Sequence, residues 1–358
     1  MERQKMKVLF ANISRRRIAL GFAVLGLMSL GGCNSSSESA SSDGADAKTG
    51  DKPHIVFVTN QIASFWRIAD VGCKDAGKEL DVEVSVIMPP NATAVEQKRL
   101  VEDLIVSGVD GIAISPIDAD NQIELLNEWA SKMPLITQDS DAPASNRRMY
   151  IGMDNYLAGR MCGELVLKAL PDGGNIMLCI GRLEQDNAQR RRQGVIDVLL
   201  GRPEMPDEYD PVGQELKGDK YTVIDTLTDQ GDENIAKRKA EDAITTYPEM
   251  NGMVGLFAYN PPACLAAVKS QGKVGQIQVI GFDEDDVTLQ GIKDGLCIGT
   301  VVQNPYQYGF KSVEVLKSLI DGDESVIPED KFINIPARTI TADNVVEFWD
   351  DLKSMTGG

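Results

Sequence analysis

Phe65 and Trp66, Asp139, Arg191, Asn260, Asp283 and Gln303 each stand at the edge of a strand or helix pattern in the 358-residue sequence. Two aromatics, two carboxylates, a guanidinium and two amides make a mixture suited to a hydroxyl-rich ring. A carboxylate accepts from two neighbouring hydroxyls, Arg and amide N–H groups donate back in fixed geometry, and the C–H face of a ring lies on an aromatic plane. None of this requires bond making or breaking.

Other chemistries lack their residues. His54 is the only histidine, which removes His-based triads and His-rich metal sites. The six cysteines, at 33, 73, 162, 179, 264 and 297, contain no C-x-x-C, and their wide spacing argues against metal, redox and disulfide frameworks. Four of the five after Cys33 lie in helical or strand patterns and read as buried small thiols. No phosphate-cradling glycine motif follows a strand and no G-x-S-x-G occurs. Asp118–Glu124 has Ile123 where a calcium loop needs Gly. Asp139 and Asp141 lie on one side of one segment, whereas a glycosidase needs carboxylates straddling the bond. In Asp283–Asp286 the first carboxylate is expected to face a cleft and the rest to form a solvated loop. Neither an enzyme, a metal nor a cofactor is expected. With Lys+Arg 36 against Asp+Glu 54, the net charge of −18 disfavours nucleic acid.

The elements that hold these residues alternate. His54–Thr59, Val82–Met88, Gly111–Ile114 and Leu135–Thr137 read as strands, separated by helices over 64–80 (capped by Ser64), 94–107 and 121–133. The pattern restarts with a helix at 156–170 and strands at 175–180, 221–227, 252–257, 278–282 and 298–302, ending in a helix over 306–321. Such alternation predicts α/β architecture: two doubly wound parallel-sheet lobes whose strand-end loops face each other. Residues 201–220 break the rhythm and read as a surface loop. Hinges are expected near 153–155, 303–305 and 335–337. The lobes are then 54–153 plus 304–335, and 154–303 plus 336–358.

The N-terminus reads as an address. Residues 1–32 join a basic stretch to the apolar run Ile18–Leu30, too short for a comfortable permanent span, which ends in Leu30-Gly31-Gly32-Cys33. That resembles a lipobox, so a lipoprotein signal peptide is expected, with Cys33 as the lipidated residue. Arg15-Arg16-Arg17 leaves general secretory and twin-arginine export both open. The Ser-rich segment 33–53 cannot bury a core and is expected to be a disordered tether.

Taken in order, ASFWRIADVGCKDAGKEL, GVDGIAISPID, PLITQDSD, YIGMDNYLAGRMCGEL, NAQRRRQGV, MVGLFAYN, VIGFDE and TVVQNPYQYG resemble the periplasmic sugar-binding proteins of ABC transporters, in the ribose-binding type I group. The resemblance covers roughly His54 to Val345. It implies that Phe65 and Trp66 stack on a sugar and that Asp139, Arg191, Asn260, Asp283 and Gln303 bond its hydroxyls. Choosing Arg191 over Arg190 and Arg192 rests on the family spacing. Ala63 and Ser140 stand where the ribose binders carry Asn and Arg, which points to a different or larger sugar. The resemblance further implies a monomer that delivers a monosaccharide or small polyol to an ABC permease. Its place is the cell envelope, at the periplasm or the outer face of the plasma membrane, held through the N-terminal lipid. The alternative is a sensor module feeding a chemoreceptor or histidine kinase.

Overall fold

The computed structural model describes residues 52–356. The export signal over 1–32, Cys33 and all but Lys52 and Pro53 of the tether lie outside the described residues.

The first sheet takes β1 (His54–Val58), β2 (Glu83–Ile87), β3 (Gly111–Ile114), β4 (Leu135–Gln138) and β5 (Tyr150–Gly152). Helices α1 (Ser64–Leu80), α2 (Ala94–Ser107) and α3 (Ile123–Ala130) connect the first four. A late strand, β12 (Phe332–Asn334), joins at the edge, giving the order β12-β5-β4-β3-β1-β2 with every pair parallel. Alternate residues of β1 feed opposite apolar layers. Ile55 and Phe57 pack with Trp66, Tyr308 and Leu316, while Val56 and Val58 pack with Leu126 and Trp129. A strand buried on both faces must be apolar throughout, which is why β1 and β3 read as continuous runs.

The second sheet repeats the design. It contains β6 (Gly174–Ile180), β7 (Leu216–Lys217), β8 (Tyr221–Thr228), β9 (Gly252–Gly255), β10 (Gln278–Phe282), β11 (Gly299–Val302) and β13 (Arg338–Thr341). Around it stand α4 (Asn155–Ala169), α5 (Asp186–Leu199), α6 (Glu233–Thr246), α7 (Asn260–Ser270), α8 (Asp286–Lys293) and the terminal α10 (Val345–Thr356). The order is β13-β11-β10-β9-β6-β8-β7, parallel except for antiparallel strands at the two edges. Ile176, Leu178 and Ile180 face one apolar layer, and Met177 and Cys179 the other.

The chain passes between the sheets three times: between β5 and α4, between β11 and α9 (Pro305–Ile320), and between β12 and β13. Two crossings end in a side-chain helix cap. Asp154 accepts from the Leu157 N–H at 2.9 Å, and Asn304 accepts from the Gln307 N–H at 3.2 Å ahead of Pro305 in the first turn. The residues that stop one sheet thus start a helix against the other.

Several elements differ from expectation. Ser64 is the first helical residue, and Ala63 precedes it without a side-chain cap. The helix expected over 121–133 is shorter because the Gln122 amide oxygen turns back to accept from the Ile117 and Asp118 N–H groups, each at 2.9 Å. Residues 201–220 are pinned rather than loose. Asp210 accepts from Arg202 and from Gln193 at 2.8 Å, the Arg192 guanidinium donates to the Asp210 and Pro211 carbonyls, and β7 lies inside the segment. Cys73, Cys162, Cys179, Cys264 and Cys297 are buried and unbridged.

Candidate ligand-binding site

Each sheet reverses its winding once, between β1 and β3 in the first and between β6 and β9 in the second. Loops leaving the carboxyl ends of strands at such points form the ligand crevice of open α/β sheets. A small cavity lies there. The first sheet and its helices supply Asn60, Gln61, Ala63, Phe65, Trp66 and Asp139. The second supplies Asn187, Arg191, Phe257, Ala258 and Asp283, and Gln303 stands at the middle crossing.

Asp139 follows β4 directly with a left-handed backbone, φ 60°. Its Oδ2 accepts from Ser115 Oγ at 3.0 Å and from Asn187 Nδ2, across the cleft, at 3.3 Å. Arg191 Nη2 lies 3.7 Å from its Oδ1. Burial pushes the Asp139 carboxyl up, and Arg191, Ser115 and Asn187 pull against that rise. Asp283 follows β10 with φ 64° and accepts from Gln303 Nε2 at 2.8 Å. Burial pushes its carboxyl up to about 7, with Asp139 adding to the rise and Arg191 and Gln303 opposing it. Tyr308 donates to Gln303 Oε1 at 3.1 Å and so orients that amide.

Arg191 is the centre of the arrangement. Its Nε donates to Asn155 Oδ1 at 2.9 Å and its Nη1 to the Leu256 carbonyl at 3.2 Å. The guanidinium lies 4.2 Å from the Phe282 ring centroid, while Nη2 has no hydrogen-bond partner. The neighbouring arginines are committed elsewhere. Arg190 pairs with Asp186 at 3.0 Å, and Arg192 donates to Thr226 Oγ1 at 2.8 Å and to the 201–220 segment. Of the three, only Arg191 lines the cavity.

Phe65 and Trp66 both line it and both belong to the core of the first lobe, packed edge to face with centroids 4.8 Å apart. The Trp66 indole N–H donates to Asn60 Oδ1 at 3.2 Å. Asn260 does not line the cavity. It is fully buried behind the wall, where its amide oxygen accepts from the Phe257 N–H at 3.0 Å and its Nδ2 donates to Asp229 at 2.8 Å. Asp141 is held by Arg147 and by the Thr137 hydroxyl at 2.5 Å, and faces a separate groove.

Asn60, Gln61, Asn187, Phe257 and Ala258 line the cavity and were not read from the sequence. Asn187 had a usable signal, being one turn before Arg191 on the same helix face. Asn60 and Gln61 lie just after β1, as Phe257 and Ala258 lie just after β9. The Asp283–Asp286 run also departs from a solvated loop. Glu284 is buried, Asp285 caps α8 by accepting from the Val287 N–H at 2.8 Å, and Asp286 accepts from the Trp349 indole at 2.7 Å.

Two parallel α/β sheets, joined by three crossings and enclosing a polar cavity at their strand ends, define a solute-binding protein of the type I periplasmic class. The family model for the periplasmic binding protein domain matches residues 55–324, and the chain belongs to that family, with the ribose-binding-like members. It is 26% identical over 285 residues to the ribose import binding protein of Salmonella typhimurium, covering 78% of this chain and 88% of that one. It is 25% identical over 304 residues to a xylitol-binding protein of Mycolicibacterium smegmatis, covering 84% and 81%. An ABC transporter solute-binding protein of Burkholderia graminis, solved with D-arabinose, superposes with a TM-score of 0.74 at 26% identity, over 83% of this chain and 98% of that one. These relatives are named as binding proteins, not enzymes.

Proposed function

We propose that the chain is the extracytoplasmic sugar-binding component of an ABC importer and holds a neutral monosaccharide ring between its lobes. The observation that carries this reading is that Asp139 and Asp283, strand-end carboxylates of opposite sheets, line one cavity with Arg191, whose Nη2 has no hydrogen-bond partner. Two buried acceptors and one donor short of a bond suit neighbouring ring hydroxyls. An anionic ligand meets two carboxylates against one guanidinium, so the ligand is uncharged. The relatives named for ribose, xylitol and D-arabinose agree with that chemistry.

Residues 54–153 with 304–335 form one moving body, 154–303 with 336–358 the other, and ligand closes them by bending at the three crossings. Phe65, Trp66, Asp139, Arg191, Asp283 and Gln303 contact the sugar, while Asn260 braces the wall. Cys33 carries the lipid that holds the protein at the membrane surface, and Cys33→Ala releases it from the membrane fraction. A thermal-shift screen against neutral sugars tests the ligand class. A ligand that binds only the native state raises stability by about 2.7 kcal/mol at a hundredfold excess over Kd. A screen in which no neutral sugar shifts the melting temperature rejects the reading.

A further inference from the structure

Outside the inner cavity lies a second, wider groove between α1 of the first lobe and the Asp283–Asp286 loop and α10 of the second. Phe65 and Ala258 line both spaces, so the groove begins where the inner cavity ends. Ile68, Val71 and Leu352 give it apolar wall. Glu284 and Arg67 are among its uncommitted polar groups, one on each lobe. Glu284 is 7% exposed, and neither carboxylate oxygen has a hydrogen-bond partner. Arg67, exposed on the opposite lobe, makes no ion pair among the described residues. The other acidic groups here are engaged: Asp70 with Lys74 at 2.5 Å, Asp285 with its own helix and Asp286 with Trp349.

A buried acceptor without a partner costs free energy that a ligand donor can recover. Glu284 and Arg67 repeat, one layer further out, the pairing of an acceptor and a donor from opposite lobes found in the inner cavity. We propose that this groove is an outer subsite and that the ligand is a glycosidically extended sugar. Its first ring fills the inner cavity, and its second unit lies along α1 and α10, donating hydroxyl hydrogens to Glu284 and accepting from Arg67. The proposal rests on the sugar-binding reading above and names the class of sugar.

Calorimetry on the full chain tests it with D-ribose, D-xylose, D-arabinose, D-glucose and D-galactose, their methyl glycosides, and xylobiose, cellobiose, maltose and lactose. An extended sugar is expected to bind at least tenfold more tightly than its parent ring. Arg67→Ala, an exposed site that touches nothing in the inner cavity, should remove about tenfold of that gain while changing the affinity of the single ring less than twofold. Glu284→Gln should act in the same sense. Single rings that bind as tightly as every extended form overturn the subsite and leave the sugar-binding reading standing. Loss of ring and extended sugar in equal measure in the Arg67 variant does the same. Absence of binding by every sugar overturns both.

Discussion

Asp139 and Asp283 occupy corresponding places in the two lobes. Each follows the third strand from one edge of its sheet, β4 in the order β12-β5-β4 and β10 in the order β13-β11-β10, each has left-handed backbone near φ 60°, and each presents a buried carboxyl to the cavity that Arg191 lines. Asp and Asn tolerate that backbone because their short polar side chains can bond locally, whereas a residue such as Ala is strained there. Asn is therefore the informative substitution at either position, since it removes charge without adding strain.

The buried carboxyls make the stability of the empty protein depend on pH in an unusual direction. Burial raises Asp283 to about 7 and Asp186 to about 6, against about 3.9 in an unfolded chain. A carboxyl raised on folding binds its proton more tightly in the native state. Its stabilising contribution is full below the unfolded value and is lost as pH rises through the folded one. The melting temperature of the ligand-free protein should be higher at pH 5.5 than at pH 8, and Asp283→Asn should narrow that difference. Differential scanning calorimetry at the two pH values checks both statements.

Glycines let the helices that carry the site approach closely. A Cβ at Gly159 of α4 would overlap the Arg191 carbonyl oxygen, and one at Gly309 of α9 would overlap that of Ala69 in α1. Gly159→Ala and Gly309→Ala should each cost about 1–3 kcal/mol in denaturant unfolding, as overpacking does. Gly159→Ala should also weaken sugar binding, because α5 must shift and carries Asn187 and Arg191 with it.

Asn260 separates bracing from contact. Asn260→Ala leaves the Phe257 N–H and one Asp229 oxygen without partners, at a cost of about 1–3 kcal/mol in stability. Its effect on sugar affinity should be smaller than that of Asp283→Asn. Unfolding and titration curves on the two variants make the comparison.

The two-sheet architecture was legible because strands buried on both faces read as short apolar runs between amphipathic helices, as in His54–Val58 and Gly111–Ile114. Two edge strands were not, since Leu216–Lys217 and Phe332–Asn334 have two and three residues and partly exposed side chains. The site was legible where a charged residue stands directly after a strand, as Asp139 and Asp283 do. Asn60 was missed because its role depends on a long-range neighbour: it accepts from Trp66 and points its amide toward Asp139. Asn260 was placed one layer too far forward because the sequence gives its position after β9 but not which way its amide turns. Glu284 was taken for a solvated charge because a run of four acids ordinarily is one, and only the packing around it shows otherwise.

The central claim is that Asp139 and Asp283 hold a neutral sugar between the lobes, and titration calorimetry at pH 8 on wild type and Asp283→Asn tests it most directly. The probe is the neutral sugar that gives the largest thermal shift. Wild type should bind it one to one, and the variant should lose about 1.5–3 kcal/mol of binding free energy, roughly ten- to a hundredfold in affinity, as expected for a hydrogen bond to a charged group. Unchanged affinity in the variant, or tight binding of a sugar phosphate or an amino acid by wild type in place of every neutral sugar, would contradict the account.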